Sequence, residues 1–280
     1  LFSELLGITS IPPGTRLSPD NLKKIVQLMW NCRLDLSSLQ TPQEKYTALE
    51  LSLVLENLLF LEINYWQPQT LYDLLEKSYW LTMATAAAGF LEIWEFRELE
   101  QVLKLDLETK ISLQKLKRRA EYAKRAVEWS TGMVRSAYHE PMILFNRFES
   151  LVQGFMDDRI RASVLLPYGN VVSQLNDKYM SQANLQQRLL DVASQNQVRG
   201  LNPGFALGEL VVISGQNVDP NFDSDKIYVL QTTPADLKPV AGLLTISEGN
   251  LVSHVQLLAR NLGIPNAVIS PKIFEELVKF

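Results

Sequence analysis

The chain has 280 residues, of which 46% are hydrophobic and 21% are charged, a balance that is ordinary for a globular protein. At roughly 150 residues per domain, this length predicts about two domains. The formal net charge of −4 argues against general nucleic-acid binding, which favours a basic surface. The single cysteine, Cys32, excludes an intrachain disulfide and a cysteine-cluster metal site, and it agrees with a reducing cytoplasm.

The two ends of the chain carry no targeting pattern. The chain begins at Leu1, without a signal peptide, and it stops at Phe280, directly after a predicted helix over residues 271–279. We therefore expect a piece of a longer cytoplasmic protein. The uncharged run of residues 78–91 has about 14 residues and is too short to span a bilayer, so no membrane partner is expected.

Roughly the first two-thirds of the sequence has the apolar periodicity of amphipathic helices, and few stretches there alternate as strands do. We predict an α-helical bundle for residues 1–196, with no internal repeat. The predicted helices cover about residues 18–32, 42–66, 70–103, 106–138, 141–152, 157–180 and 184–194. The third is interrupted by a run of small residues, 84–89, which would allow a close helix crossing.

The second predicted helix has the clearest start and the most apolar sequence. Thr41 is a good N-cap residue, Pro42 suits the first helical position, and Glu44 completes a capping box. Leucines then occur on nearly every side of the helix. A helix that is apolar all round is typical of a protein centre, so we expect this one to be buried.

The sequence changes character after Gly200. Glycines separate short β-like runs, of which residues 210–214 and 226–230 are the clearest strands. We predict a compact β/α domain over residues 197–280, joined to the helical domain by a linker near residues 195–200. The expected fold class is therefore multidomain α plus α/β.

Residues 242–269 carry the most informative pattern: a strand, a glycine-containing loop, a helix and a second strand. A short apolar run ends at Thr245 and suits a buried strand. Ser253 is a good N-cap residue, because its hydroxyl can accept a hydrogen bond from the N–H groups of the first helical turn. Gly263 suits the left-handed position after a helix, and Pro265 prevents its continuation.

His254 therefore falls in the first turn of this predicted helix. The N–H groups and the positive end of the helix dipole there disfavour an imidazolium and favour an anion. A neutral imidazole nitrogen is a competent nucleophile toward phosphorus, so His254 is the candidate catalytic residue and phosphoryl carrier. His139, the other histidine, lies in a different domain, and no cysteine or carboxylate cluster accompanies either one, so no metal site is predicted.

At these residues the sequence resembles the phosphohistidine swivelling, or mobile, domain of phosphoenolpyruvate-utilising enzymes such as phosphoenolpyruvate synthase and pyruvate phosphate dikinase. The family pattern is a threonine, a glycine-rich loop, serine or cysteine, the phosphorylated histidine, Ala-Arg and Leu-Gly-Ile-Pro. The chain matches it at Thr245, Gly249, Ser253, His254, Ala259, Arg260, Leu262, Gly263, Ile264 and Pro265. Residues 229–239 also resemble the preceding strand and turn of the family, and residues 204–212 resemble its first hairpin.

The resemblance implies a β/β/α domain whose histidine takes a phosphoryl group from ATP and passes it to pyruvate. It implies that ATP and Mg²⁺ bind to a nucleotide-binding domain elsewhere in the parent transferase, so that this chain itself holds no cofactor. The partners implied are that domain and a small-molecule acceptor. The candidates for supporting the phosphoryl group are Ser253, Gly249, Asn250, Thr245 and Arg260.

Some residues depart from the family pattern. Asn250 replaces the second glycine of the loop, Val252 replaces a threonine, and Val255 replaces the alanine after the histidine. The Ser-His-Val order is also similar to that of the glucan, water dikinases, so a glucan or another hydroxyl compound is an alternative acceptor. The altered loop motivates a second interpretation, in which the domain has lost carrier activity and serves as an interaction or regulatory module.

Overall fold

The computed structural model describes most of the chain, with gaps. The described residues are 16–105, 110–149, 152, 154–183, 186–189, 192–195, 198–215, 222–232, 237–246 and 252–279, with the backbone alone for 186–189, 192–195 and 254. They form a mixed α and β protein that divides into two compact units, Leu1–Val172 and Ser173–Phe280.

Every regular element among the described residues of the first unit is a helix, as the sequence predicts. Its helices are α1 (Pro19–Asp35), α2 (Pro42–Glu62), α3 (Leu71–Ala87), α4 (Ile93–Leu103), α5 (Leu113–Phe145) and α6 (Phe155–Arg161), and α7 (Leu165–Gln182) begins here and ends in the second unit. A 3₁₀ turn, Ile63–Tyr65, follows α2. The core includes the fully buried ring of Tyr168, whose hydroxyl lies 2.6 Å from that of Thr82.

Polar caps determine where these helices begin. Thr41 accepts a hydrogen bond from the Glu44 N–H at 3.2 Å, and the Glu44 carboxylate accepts one from the Thr41 N–H at 2.9 Å. This is the predicted capping box, and Thr70 and Asp73 form another at the start of α3. Each box satisfies two backbone donors that the flanking helix leaves without a partner.

The sequence predicts one long helix over residues 70–103, interrupted by the small residues 84–89, and the chain forms two separate helices there, the first of which ends within that run. Gly89 follows α3 with a φ of 91°, a conformation that glycine adopts without steric cost. The Phe90 N–H donates to the Thr85 oxygen at 3.0 Å, and the Gly89 N–H donates to the Ala86 oxygen at 3.1 Å. These two bonds form a Schellman motif, which ends α3.

The new helix predicted to start at Pro141 is also wrong. α5 begins after its cap at Ser112 and continues through Pro141 as one helix of 33 residues. Proline removes one backbone donor from a helix but need not end it. The buried side of α5, from Leu116 to Val134, precedes the proline, so the packing that stabilises the helix is uninterrupted.

α2 is less buried than its composition predicts. Its buried residues are Leu55, Glu56 and Leu59, whereas Leu53 and Leu61 are 53% and 65% exposed. The expectation of a central, fully buried helix is therefore wrong. An apolar sequence permits burial on every side, but burial requires a neighbouring element on each side, and the main neighbour of α2 is α1.

The helix predicted over residues 184–194 is wrong, because two strands occupy this stretch. β1 (Gln186–Leu189) and β2 (Val192–Gln195) pair antiparallel, with Leu189 opposite Val192. Strand pairing depends on a partner segment, whereas the leucines of this stretch also fit helical spacing.

The second unit is built around one larger sheet. Its strands are β3 (Val198–Asn202), β4 (Glu209–Ile213), β5 (Lys226–Leu230), β6 (Gly242–Thr245) and β7 (Asn266–Ile269). The spatial order is β3-β7-β6-β5-β4, in which β4 to β7 are parallel and β3 is antiparallel to β7. The strands predicted at residues 210–214 and 226–230 are confirmed. β3 and β4 lie at opposite edges, so the hairpin expected around residues 204–212 is wrong.

One helix covers each face of this sheet. α8 (His254–Asn261) connects β6 to β7, and α9 (Pro271–Leu277) follows β7. Val255 and Ala259 of α8 pack with Leu243 on one face. Ile273 of α9 packs with Val229 on the other. Neighbouring strand residues therefore point alternately toward the two helices.

The two compact units divide between Val172 and Ser173, whereas the sequence places the boundary at residue 197. The Arg199 guanidinium donates to the Ser173 carbonyl oxygen at 3.3 Å and to the Asp177 carboxylate at 3.0 Å. These bonds join the second half of α7 to β3, so that half of the helix belongs with the sheet.

Replacing Gly89 by alanine is expected to lower the free energy of unfolding by about 1–2 kcal/mol, because a side chain at positive φ is strained. A Cβ there would also lie 2.9 Å from Nη1 of Arg33. The matched control is Gly132→Ala within α5, where a Cβ meets no atom within 4 Å. The control should gain about 0.5–1 kcal/mol from its better helix propensity. Urea titration measures both variants, and effects of the same sign would contradict the argument.

Candidate functional site

The candidate site lies where β6 ends and α8 begins. β6 and β7 are parallel neighbours, with Leu243 opposite Asn266 and Thr245 opposite Val268. A helix that connects two parallel strands runs back across the sheet, so its first turn lies at the edge where the first strand ends.

Local chemistry fixes both ends of α8. Ser253 has a φ of −65° and a ψ of 159°, the extended conformation of an N-cap residue. After the helix, Gly263 has a φ of 69°, and the Ile264 N–H donates to the Ala259 oxygen at 2.8 Å. The predicted N-cap position of Ser253 and the left-handed conformation of Gly263 are confirmed, and they place the His254 backbone at the first position of the helix.

The Ser253 hydroxyl does not cap α8, although the sequence predicts that it does. It makes no hydrogen bond to the first turn, and its oxygen is buried without a partner. The serine and threonine N-caps of other described helices each accept a bond from the first turn; they are Ser18, Thr41, Thr70, Ser112 and Ser270. A buried hydroxyl without a partner costs about 1–3 kcal/mol, so Ser253 carries a polar group that the described fold does not use.

Thr245 has the same property at the end of β6. Its side chain is 1% exposed, and its hydroxyl has no hydrogen-bond partner. Leu243, two residues earlier on the strand, packs on the face that α8 covers. Because side chains alternate along a strand, Thr245 points to that same face. One unpaired hydroxyl from the strand and one from the helix cap therefore lie on the same side of the sheet.

Gln256 is a buried polar residue that the sequence analysis did not assign to the site. Its Oε1 accepts a hydrogen bond from Asn266 Nδ2 at 2.7 Å, and its Nε2 has no partner. The Asn266 Oδ1 accepts a bond from the Asn202 N–H at 2.9 Å. These bonds join α8 to β7 and β3. The spacing from Ser253 to Gln256 is that of a capping box, and this pattern could have identified Gln256 from the sequence. The glutamine side chain, however, bonds to the sheet and not to the backbone of Ser253.

The other predicted site residues lie in different places. Gly249 and Asn250 are outside the described residues, as is the imidazole of His254. Arg260 lies in the last turn of α8, about 9 Å along the helix axis from His254, so the structure does not bring it to the first turn. His139 is exposed on α5 in the first unit.

The hydrogen-bond donors described at this edge of the sheet can bind an anion. First-turn N–H groups, together with the positive end of the dipole, attract negative charge, and the two hydroxyls can donate as well. The residues described at this edge contribute no carboxylate. Among the described residues, no group of three or more His, Cys, Asp or Glu side chains could hold a metal ion.

No family model, curated protein or solved structure matches the chain. Within the described ranges, no helix combines the length and the apolar character needed to cross a membrane. The geometry around α8 therefore supplies the structural argument for a function.

Thr245→Val is expected to raise the free energy of unfolding by about 1 kcal/mol, because the isosteric change removes a buried hydroxyl that has no partner. The matched control is Thr82→Val, at a site that is 0% exposed, where the hydroxyl contacts Tyr168 at 2.6 Å and donates to the Ser78 oxygen at 2.8 Å. The control should lose about 1–2 kcal/mol. Urea titration compares the two, and an equal loss in both would show that Thr245 is hydrogen-bonded within the fold.

Proposed function

We propose that His254 carries a phosphoryl group transiently and that the second unit is the swivelling phosphohistidine domain of an ATP-dependent phosphotransferase. One observation carries the proposal. Two buried hydroxyls, those of Ser253 and Thr245, have no partner beside the first turn of the helix that His254 begins. The sequence resemblance to phosphoenolpyruvate-utilising enzymes supports the same histidine.

Hydrogen bonds to a phosphoryl group satisfy both hydroxyls. Each phosphoryl oxygen is a charged acceptor, and a bond to a charged group contributes about 1.5–3 kcal/mol. The dipole of α8 adds about 0.3–1 kcal/mol at its N-terminus. These contributions favour the phosphorylated over the unmodified histidine, because Ser253 and Thr245 gain the partners that they lack otherwise.

The proposed chemistry has two displacements at phosphorus. A neutral imidazole nitrogen of His254 attacks a phosphorus atom of ATP, a P–N bond forms, and the P–O bond to the leaving group breaks with its electron pair on oxygen. An enolate or hydroxyl oxygen of the acceptor then attacks the phosphorus, and the P–N bond breaks with its electron pair on the imidazole nitrogen, which can take up the proton that a hydroxyl acceptor loses. The chain contributes positioning and electrostatic stabilisation. The acceptor is pyruvate or another hydroxyl compound, such as a glucan.

In this proposal the nucleotide and the acceptor bind to other domains of the parent protein. ATP with Mg²⁺ belongs to a nucleotide-binding domain, and the second unit moves between that domain and the acceptor site. His254 then transfers the group without holding either substrate.

Phosphoramidate, a small phosphoryl donor that reacts with imidazoles, tests the proposal on the chain alone. The chain has two histidines, so His139 is an internal control. We expect His254 to be phosphorylated at least about tenfold faster than His139, because donors stabilise the transferred group only at His254. Phosphorus NMR measures both rates, and the product should be acid-labile and alkali-stable.

Variants identify the histidine that gives the faster-growing phosphohistidine signal. His139→Ala should retain it, and His254→Ala should lose it. Ser253→Ala and Thr245→Val should each slow it by about tenfold, the effect of one charge-assisted hydrogen bond. Equal rates at the two histidines, or a fast signal that persists in His254→Ala, would overturn the proposal and favour the interaction or regulatory module instead.

A further inference from the structure

Two successive heptads of α5 have the same order of residue types. Residues 117–123 read Lys-Arg-Arg-Ala-Glu-Tyr-Ala, and residues 124–130 read Lys-Arg-Ala-Val-Glu-Trp-Ser. A lysine, an arginine, a glutamate and an aromatic residue thus each recur after seven positions. Seven residues make almost two turns of an α-helix, so the recurring residues lie on the same side, about 10.5 Å apart along the axis.

The recurring arginines face away from the core of the first unit. The buried residues of α5 follow helical spacing along one side; they include Leu116, Ala120, Ala123 and Val127. Arg118 and Arg125 lie about half a turn round the helix from that side, and both are exposed. Packing within the first unit therefore explains the small residues of the two heptads but not their arginines.

Each heptad pairs its lysine with its glutamate and leaves its arginine without a carboxylate. The ammonium of Lys117 lies 3.7 Å from the carboxylate of Glu121, and the equivalent pair of the second heptad has the same separation. Among the described residues, no carboxylate pairs with Arg118 or Arg125. The two guanidinium groups are therefore open to an acidic partner.

Aromatic rings hold both guanidinium groups in place. Cζ of Arg118 lies 5.5 Å from the centre of the Tyr122 ring. Cζ of Arg125 lies 4.9 Å from the same ring and 6.0 Å from the Trp129 ring. A cation–π attraction uses no hydrogen-bond acceptor, so the N–H donors of each arginine remain available. A side chain that is already held in place also loses less freedom when it binds a partner.

The spacing and the mixed charges of this surface determine which kind of partner fits. Arginine binds a carboxylate through two parallel N–H bonds, so acidic side chains match it well. On a second helix, carboxylates seven residues apart recur at the same distance of about 10.5 Å, so one helix lying along α5 can meet both arginines. A nucleic-acid strand would bring its phosphates close to Glu121 and Glu128 as well, because these exposed glutamates lie beside the arginines.

We propose that the arginine–aromatic surface of α5, formed by Arg118, Tyr122, Arg125 and Trp129, binds an acidic α-helix of a protein partner. One carboxylate in each of two partner heptads accepts hydrogen bonds from Arg118 and from Arg125. An apolar side chain between the two carboxylates contacts the Tyr122 ring. All four residues belong to the first unit, so the proposal does not depend on His254.

Three synthetic helical peptides of about 21 residues, matched in helix content, test the proposal by fluorescence anisotropy with the intact chain. One carries glutamate at every seventh position, the second carries glutamine there, and the third has the composition of the first with its glutamates irregularly spaced. At about 0.15 M salt the first should bind at least about fivefold more tightly than the others, because only it places a carboxylate at each arginine. Equal affinity of the first and third peptides would overturn the proposal, as would no binding of the first at about 1 mM. Tighter binding of an oligothymidylate would also overturn it and favour nucleic acid.

Double variants locate the contact. Arg118→Gln with Arg125→Gln removes both charges, so the glutamate peptide should bind no more tightly than the glutamine peptide. The matched control is Lys24→Gln with Arg97→Gln, which removes two exposed cations of α1 and α4 and should keep the fivefold preference. All four positions are exposed, and urea titration checks that both variants fold. A preference that persists in the arginine variant, or an equal loss in both variants, would overturn the assignment.

Discussion

The candidate site depends on the crossover from β6 through α8 to β7, because the two parallel strands fix both ends of the helix. Val255 and Ala259 pack onto Leu243, and this apolar contact sets the helix on the sheet. Backbone pairing on both sides fixes the direction of the Thr245 side chain. The unpaired hydroxyls are therefore positioned by packing and by the strand ladder, so their geometry does not depend on a bound anion, as electrostatic preorganisation requires.

Local sequence patterns predicted where α8 begins and ends, but not the hydrogen bonds of the polar side chains at the site. Ser253 and Gly263 mark the two ends of α8, since capping depends on residues only a few positions apart. The missing cap bond of Ser253 was not predictable, because serine at that position normally accepts one. The bond between Gln256 and Asn266 spans 10 residues and depends on how α8 lies against β7, which no local pattern contains.

In the helical unit, local sequence patterns likewise did not predict which side chains of α2 are buried. The periodicity of α2 identifies the faces that can be buried, but it does not contain the neighbours that would bury them. Leu53 is half exposed for this reason. The run of small residues 84–89 indicated an interruption, but not that the positive φ of Gly89 would end the helix there. Segments with good local signals, such as the box at Thr41 and Glu44, agree with prediction because their partners are three residues apart.

The bonds of Arg199 bear on how the two units could be separated. A fragment that starts at residue 197 would leave this guanidinium without the Ser173 oxygen and the Asp177 carboxylate. A fragment that keeps both must start at or before Ser173. A cut at the boundary between the two units, just before Ser173, separates Tyr168 and the rest of the first half of α7 from the second half, so neither piece keeps the helix whole.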